Sequence, residues 1–191
     1  MPNQKLLAGV SAALRSSILL LVFIVVILIF TAPGVCFTRY INGLQRGFEV
    51  CHSIYNYMSV TYWKDGVIFQ QYRGQRVWGQ LVVVVLALLF ALPSLASSCV
   101  QFATKNSLFT PRLFLAAISF CVYLVLGALE TWYATGFGFM TGIIRRLDIC
   151  GALPGCEIVF VVKGWAVAAA FLFLAAVLSA IDLACILAGR D

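Results

Sequence analysis

The chain has 191 residues, of which 63% are hydrophobic and only 10% are charged. Soluble domains are about 45–50% apolar and about 25% charged, so this composition excludes a water-soluble globular protein. The net charge of +6 comes from basic residues scattered over the loops. Because they form no run and no RNA-binding motif, we expect them to meet lipid headgroups, and we expect no nucleic-acid partner.

Four apolar stretches are each long enough to cross a bilayer, which takes about 20 residues of helix. Lipid satisfies no backbone hydrogen bond, so each stretch must be helical. We therefore predict an all-α membrane protein, a single integral membrane domain over residues 1–191 that contains a four-transmembrane-helix bundle. The predicted helices cover residues 14–32, 78–98, 113–135 and 164–187.

The first apolar stretch also allows a second interpretation, a cleaved signal peptide, because Lys5 precedes it. Against cleavage, "TAPGVCF" is a poor processing site, and the stretch is long enough to span. We expect it to remain as the first helix.

Cysteine placement indicates the orientation of the bundle. Cys36 and Cys51 lie in loop 33–77, and Cys150 and Cys156 lie in loop 136–163, on the same side of the predicted membrane. Disulfides persist in oxidising compartments, so both loops are predicted to be extracellular and both termini cytosolic, in the plasma membrane. The alternative is that these are ordinary loop thiols.

Three connectivities are open to these four cysteines, and we predict the local one, Cys36–Cys51 and Cys150–Cys156. Each bridge then closes a short stretch within one loop. A bridge between Cys36 and Cys51 would be worth about 3 kcal/mol in the chain-entropy description.

Loop 33–77 is predicted to form a small extracellular cap that contains β-structure. Residues 57–63 and 67–72 are rich in aromatic and β-branched side chains and are separated by a turn at Asp65-Gly66. Asp-Gly between two β-prone runs favours a hairpin. A lone hairpin is marginal in water, so this one needs support from a disulfide or from the helix ends.

These features resemble the claudin-type four-helix architecture and, more closely, the amastins, which are surface proteins of kinetoplastid parasites. Cys36, Phe37 and Thr38 match the start of the amastin signature, Tyr40 supplies its aromatic residue, and Cys51 is a late second cysteine. Two positions of the signature depart from the family pattern, Arg39 and Ile41. The resemblance implies a surface-exposed, non-enzymatic protein with a structural or adhesive role, and it supplies no catalytic residues.

An enzyme remains an alternative, because the four-helix thiol oxidases of the DsbB type carry cysteine pairs in both outer loops and use a quinone. Neither pair here has the Cys-x-x-Cys spacing that best tunes a reactive thiol. The only histidine, His52, adjoins Cys51, and one histidine gives weak support to a metal site or a catalytic triad. We predict no metal and no cofactor.

Two acids lie inside the apolar segments, where ionisable residues are functional candidates by default. Glu130 is predicted to pair with Lys163 at the outer side. Asp182 is predicted to meet a basic residue at the inner side, and three are candidates: Arg15, Arg112 and Arg190. Ion pairing between helices is the interpretation we favour, and transport is the alternative.

These patterns favour a non-enzymatic structural, adhesive or assembly role at the cell surface. Its partners would be membrane lipids together with further copies of the chain or other membrane subunits. Small residues four apart, such as Ala166 and Ala170, let helices approach closely, within the bundle or between protomers. The alternatives are a quinone-linked thiol oxidoreductase and an accessory subunit or small-solute transporter of a larger complex.

Overall fold

Four long helices build the protein. The computed structural model describes residues 2–45, 50–51, 79–104, 109–135 and 154–189. Within these ranges each of the four helices is long and apolar enough to cross a membrane, which confirms the predicted four-helix membrane bundle. The helices are α1 (Pro2–Thr31), α2 (Gly79–Thr104), α3 (Phe109–Ala134) and α4 (Lys163–Ala188).

The helices extend further than hydropathy alone predicted, chiefly at one end of the bundle. Helix α1 begins at Pro2, before the apolar run, because the intervening leucines and alanines are good helix formers. Helix α2 continues to Thr104, and α3 already begins at Phe109. Pro111 is the third residue of α3 and lies in its first turn, where the missing N–H costs no helical hydrogen bond. The connection predicted over residues 99–112 is therefore mostly helix.

The helices form a closed ring in chain order. Helix α4 packs against α1 and α3, and α2 packs against the same two helices from the other side. Valine, isoleucine, leucine and alanine fill most of the centre, from Ile18 and Val22 on α1 to Leu172 and Ala176 on α4. This arrangement places any polar residue on an inner helix face within reach of the neighbouring helices.

A small antiparallel sheet covers the end of the bundle where α1 ends and α4 begins, called here the sheet end. Its central strand is β1 (Val35–Ile41). Strand β4 (Cys156–Val162) occupies one edge of β1 along its whole length, from Val35 opposite Val162 to Ile41 opposite Cys156. The other edge of β1 carries β2 (Leu44–Gln45) and β3 (Val50–Cys51).

A tight turn at Asn42-Gly43 connects β1 to β2. Both residues have positive φ, 51° and 76°, which is the backbone of a type I′ hairpin turn. The Asn42 N–H donates to the Gly155 carbonyl oxygen at 2.9 Å, so the second loop is held to the tip of the first. The hairpin predicted around Asp65-Gly66 lies outside the described residues.

The sheet continues directly into the helices without a flexible joint. Backbone N–H groups of Lys163 and Gly164 donate to Gly34 and Pro33 at 2.9 and 2.8 Å, which extends the β1–β4 ladder to the first turn of α4. A Cβ on Gly164 would lie only 2.3 Å from the Pro33 ring, so glycine is what permits this approach. The cap and the bundle are thus connected at two points, where α1 leads into β1 and where β4 leads into α4.

Candidate functional site

Most buried polar residues in the described part of the bundle form two separate groups, whereas Ser119 and Ser179 take no part in the hydrogen bonds of either group. The first group lies near the end opposite the sheet, called here the distal end, and we call it the distal cluster. Its side chains are Ser11 and Arg15 on α1, Ser97 and Ser98 on α2, Arg112 on α3 and Asp182 on α4. The second group lies at the sheet end and contains Gln80 on α2 and Glu130 on α3.

An ion pair forms the centre of the distal cluster. The Nε of Arg15 lies 2.8 Å from Oδ2 of Asp182, and both side chains are almost completely buried. Arg15 is about two helical turns inside the span that begins at Leu7. Of the three basic residues that the sequence offered to Asp182, the structure selects Arg15 as the direct partner.

Arg15 also forms hydrogen bonds with α2. Its Nη1 donates to the backbone carbonyl of Ser94 at 2.9 Å and to the hydroxyls of Ser97 and Ser98 at 2.6 and 3.1 Å. These serines lie on α2 after Pro93, on the turn that faces α1. Nη2 of Arg15 is buried without a hydrogen-bond acceptor in the structure. One guanidinium therefore connects α1, α2 and α4.

Ser11 brings α3 into the same cluster. Its hydroxyl donates to Oδ1 of Asp182, and it accepts a hydrogen bond from Nη2 of Arg112 at 2.7 Å. Both oxygens of the Asp182 carboxylate are thereby used. All four helices are joined through one continuous network of hydrogen bonds and one ion pair.

The group at the sheet end has a different composition. Gln80 and Glu130 are both fully buried. Nε2 of Gln80 donates to Oε1 of Glu130 at 3.2 Å. The remaining oxygen of each side chain, Gln80 Oε1 and Glu130 Oε2, is buried and has no hydrogen-bond partner. A carboxyl group thus lies inside the bundle beside a neutral amide.

The ion pair predicted between Glu130 and Lys163 is not among the ion pairs of the described residues. Lys163 is the first residue of α4, its side chain is exposed, and its aliphatic carbons pass over Gly34. Glu130 instead points inward to Gln80 on α2. Sequence spacing placed the two residues at the same depth, but depth alone does not decide which face of each helix they occupy.

Aromatic residues pack beside the Gln80–Glu130 pair. The Tyr133 hydroxyl lies so close to Gly79 that a Cβ there would be 1.8 Å away. The Tyr133 and Trp165 rings meet edge to face with centroids 6.2 Å apart, and the Trp165 N–H donates to the Ile29 carbonyl at 3.3 Å. Trp165 is completely buried, and Tyr133 follows Glu130 by about one turn toward the sheet end of α3.

The cap brings three of the four loop cysteines into one sheet. Cys36 on β1 is directly opposite Cys51 on β3, whereas Cys156 on β4 is opposite Ile41. Cys36 and Cys156 each belong to a disulfide, while Cys99, Cys121 and Cys185 are free thiols. Cys150 lies outside the described residues, so the connectivity stays a prediction.

The described part of the chain contains no group of side chains that could bind a metal ion. No three histidine, cysteine, aspartate or glutamate side chains come together there. His52 lies outside the described ranges. The chemistry available inside the bundle is therefore that of the two polar groups, a compensated ion pair at one end and an uncharged partner for a carboxyl at the other.

Sequence reasoning identified the acids but missed most of their partners. Gln80, Ser11 and the α2 serines were not predicted, although each is a polar residue inside an otherwise apolar stretch. That property was the available signal, because polar side chains in membrane helices are enriched at helix–helix contacts. No family model, characterised protein or solved structure matches this chain.

Proposed function

We propose that this membrane protein is a non-enzymatic structural or assembly component of the cell surface, of the claudin-type or amastin-like kind that its cysteine pattern resembles. The observation that carries the proposal is the exposed tip of the sheet. Leu44, next to the Asn42-Gly43 turn, has 65% of its surface exposed, on a sheet held by both loops. An apolar side chain on a rigid, solvent-facing edge is suited to contact another protein.

The interior of the bundle supports the same proposal. The described hydrogen bonds of Arg15, Ser11 and Arg112 each join one helix to another, so the charges of Arg15 and Asp182 are used to hold the four helices together. Rigid interiors favour platforms because little conformational freedom is lost when a partner binds. On the outside of α4, Ala166 and Ala170 are exposed and leave room for a neighbouring helix.

Orientation is part of the proposal. With the sheet outside the cell and both termini in the cytosol, the paired cysteines occupy an oxidising compartment. A protease added to intact cells should cut a tag inserted at Asp65-Gly66 and should leave tags at either terminus intact. The reverse pattern of cleavage would place the sheet in the cytosol and reject the surface role.

The assembly role is tested by extracting the full chain in mild detergent and measuring its mass by native mass spectrometry. We expect an oligomer or a complex with a second membrane protein. Leu44→Ser should reduce that species without changing thermal unfolding, whereas Leu20→Ala on the outward face of α1 should leave it unchanged. A monomer in both the wild type and the variants would contradict the proposal.

The same sample separates the alternative functions. A bound quinone, together with cysteines that cycle between thiol and disulfide, would make the protein a thiol oxidoreductase. The accessory or transport alternative draws support from one observation, a buried carboxyl at Glu130 without a described counter-charge. A solute flux in proteoliposomes that Glu130→Gln abolishes would promote it.

A further inference from the structure

Glu130 and Gln80 do not satisfy each other when the carboxyl is ionised. Gln80 Nε2 donates to Glu130 Oε1 at 3.2 Å. The two atoms left over, Gln80 Oε1 and Glu130 Oε2, are then both acceptors, and both are buried without a donor. Each side chain of this hydrogen-bonded pair thus keeps one orphaned acceptor inside a membrane bundle, which indicates that a hydrogen atom between the two side chains is missing.

The surroundings supply no compensating charge in the described part of the bundle. No ionisable residue occupies the sheet-end half of α1, from Ser16 to Thr31, and α2 contributes only the exposed thiol of Cys99 near its far end. On α3 the nearby titratable groups are the phenols of Tyr123 and Tyr133. On α4 the charged residue at this level is Lys163, whose side chain is exposed and lies along Gly34.

An ionised carboxylate in such surroundings is strongly unfavourable. The free energy required to bury an isolated charge in an apolar medium is far larger than the free energy gained from one hydrogen bond to a neutral amide. Asp182 in the same bundle shows the other solution, because Arg15 and Ser11 occupy both of its oxygens. Glu130 has no such set among the described residues.

We propose that Glu130 is a proton-binding site in the membrane, held as a neutral carboxylic acid that forms a reciprocal acid–amide pair with Gln80. The carboxylic hydroxyl donates from Oε2 to Gln80 Oε1 while Gln80 Nε2 donates to Glu130 Oε1. One proton thus satisfies both orphaned oxygens and removes the buried charge. The ligand is a proton, and both side chains that hold it are fully buried.

Infrared difference spectroscopy on the full chain in detergent at neutral pH tests the proton directly. The wild-type minus Glu130→Gln spectrum should contain the carbonyl band of a protonated carboxylic acid and no carboxylate band. A carboxylate band in that difference spectrum would overturn the proposal. Asp182→Asn provides the internal contrast and should remove a carboxylate band.

Chemical labelling gives a second, independent readout. Dicyclohexylcarbodiimide reacts with protonated buried carboxyls: the acid O–H adds across a C=N bond, the oxygen joins the central carbon and the proton moves to nitrogen. The resulting O-acylisourea rearranges to a stable N-acylurea, with no oxidant or reductant required. Peptide mass mapping should find the adduct on Glu130 and not on Asp182, and equal labelling of both would contradict the assignment.

Thermal unfolding distinguishes a protonated Glu130 from a Glu130 that binds a metal cation or forms an ion pair. Glu130→Gln keeps a donor and an acceptor for Gln80, so its melting temperature should equal that of the wild type, whereas Glu130→Ala should lower it. An ion pair with Lys163 instead requires Glu130→Gln to lose stability. Stabilisation by sodium chloride over choline chloride that disappears in Glu130→Gln would identify a cation as the ligand and overturn the proposal.

Discussion

The two ends of the bundle hold the helices together by different chemistry. At the distal end, the charges of Arg15 and Asp182 meet directly and are surrounded by serine hydroxyls. At the sheet end, the polar side-chain contact is between the amide of Gln80 and the carboxyl of Glu130. Backbone hydrogen bonds between β1, β4 and the start of α4 supply the other polar contacts at this end. An ionisable residue in lipid can be neutralised by a counter-charge or by a proton, and this chain offers one example of each.

Removing the counter-charge at the distal end should have the largest effect. Asp182→Leu leaves Arg15 buried without its ion-pair partner, and we expect a loss of about 3–5 kcal/mol in the free energy of unfolding. Denaturant or thermal unfolding in detergent measures it. The double variant Arg15→Met, Asp182→Leu should recover part of the loss, because it removes both charges. Wild-type stability of Asp182→Leu would show that the pair does not hold this end together.

The second test concerns the disulfide in the cap. Directly opposite residues of an antiparallel sheet have Cα atoms about 4.5–5.5 Å apart, inside the range of about 4.4–6.8 Å that a disulfide needs. The register favours Cys36–Cys51 and separates Cys156 from both by several strand positions. Replacing Cys36 and Cys51 by serine should cost about 3 kcal/mol.

Non-reducing peptide mapping checks the pairing itself, and Cys99→Ser is the control because Cys99 is free and exposed. We expect peptides that link Cys36 to Cys51 and Cys150 to Cys156. A peptide that joins Cys36 or Cys51 to either of the other two would refute the local connectivity.

The junction between cap and bundle should be the next most sensitive point. Gly164→Ala places a Cβ 2.3 Å from the Pro33 ring and 2.8 Å from its backbone nitrogen, so the segment that follows α1 must move away from the start of α4. Overpacking of this kind costs about 1–3 kcal/mol. Gly9→Ala is the matched control, because nothing lies within 4 Å of its new Cβ, and it should stabilise by about 0.5–1 kcal/mol. Equal melting temperatures for the two variants would argue against a rigid junction.

The smallest expected effect concerns the amide at the sheet end. Gln80→Leu removes the hydrogen-bonding partner of Glu130 and should cost about 1–2 kcal/mol, less than the loss of Asp182 because no charge is left behind. Val82→Leu, on the outward face of α2, is the control and should be close to neutral. A loss as large as that of Asp182→Leu would mean that Glu130 is ionised and that the two ends are chemically alike.

The first loop contains two hairpin signals, and the prediction used only Asp65-Gly66, which lies outside the described residues. The Asn42-Gly43 dipeptide between Ile41 and Leu44 is as strong a hairpin signal as Asp65-Gly66, and it forms the turn that the structure describes. Strand β4 was assigned to a loop, although "CEIVFVV" is β-branched and apolar. Its pairing with β1 joins residues more than a hundred positions apart, which no local pattern reveals.

The sequence by itself determined the membrane class, the four spans and the presence of two acidic residues within the spans. The reason is that the free energy of transferring a helix into lipid is a sum over neighbouring residues of the chain. Only the tertiary structure decided that Asp182 meets Arg15 and that Glu130 meets Gln80. The physical reason is that lipid and bundle core are equally apolar. A membrane helix is therefore hydrophobic on nearly every side, and apart from its few polar residues its pattern does not mark which face turns inward. Packing sets that rotation, and with it the partner of every buried polar group.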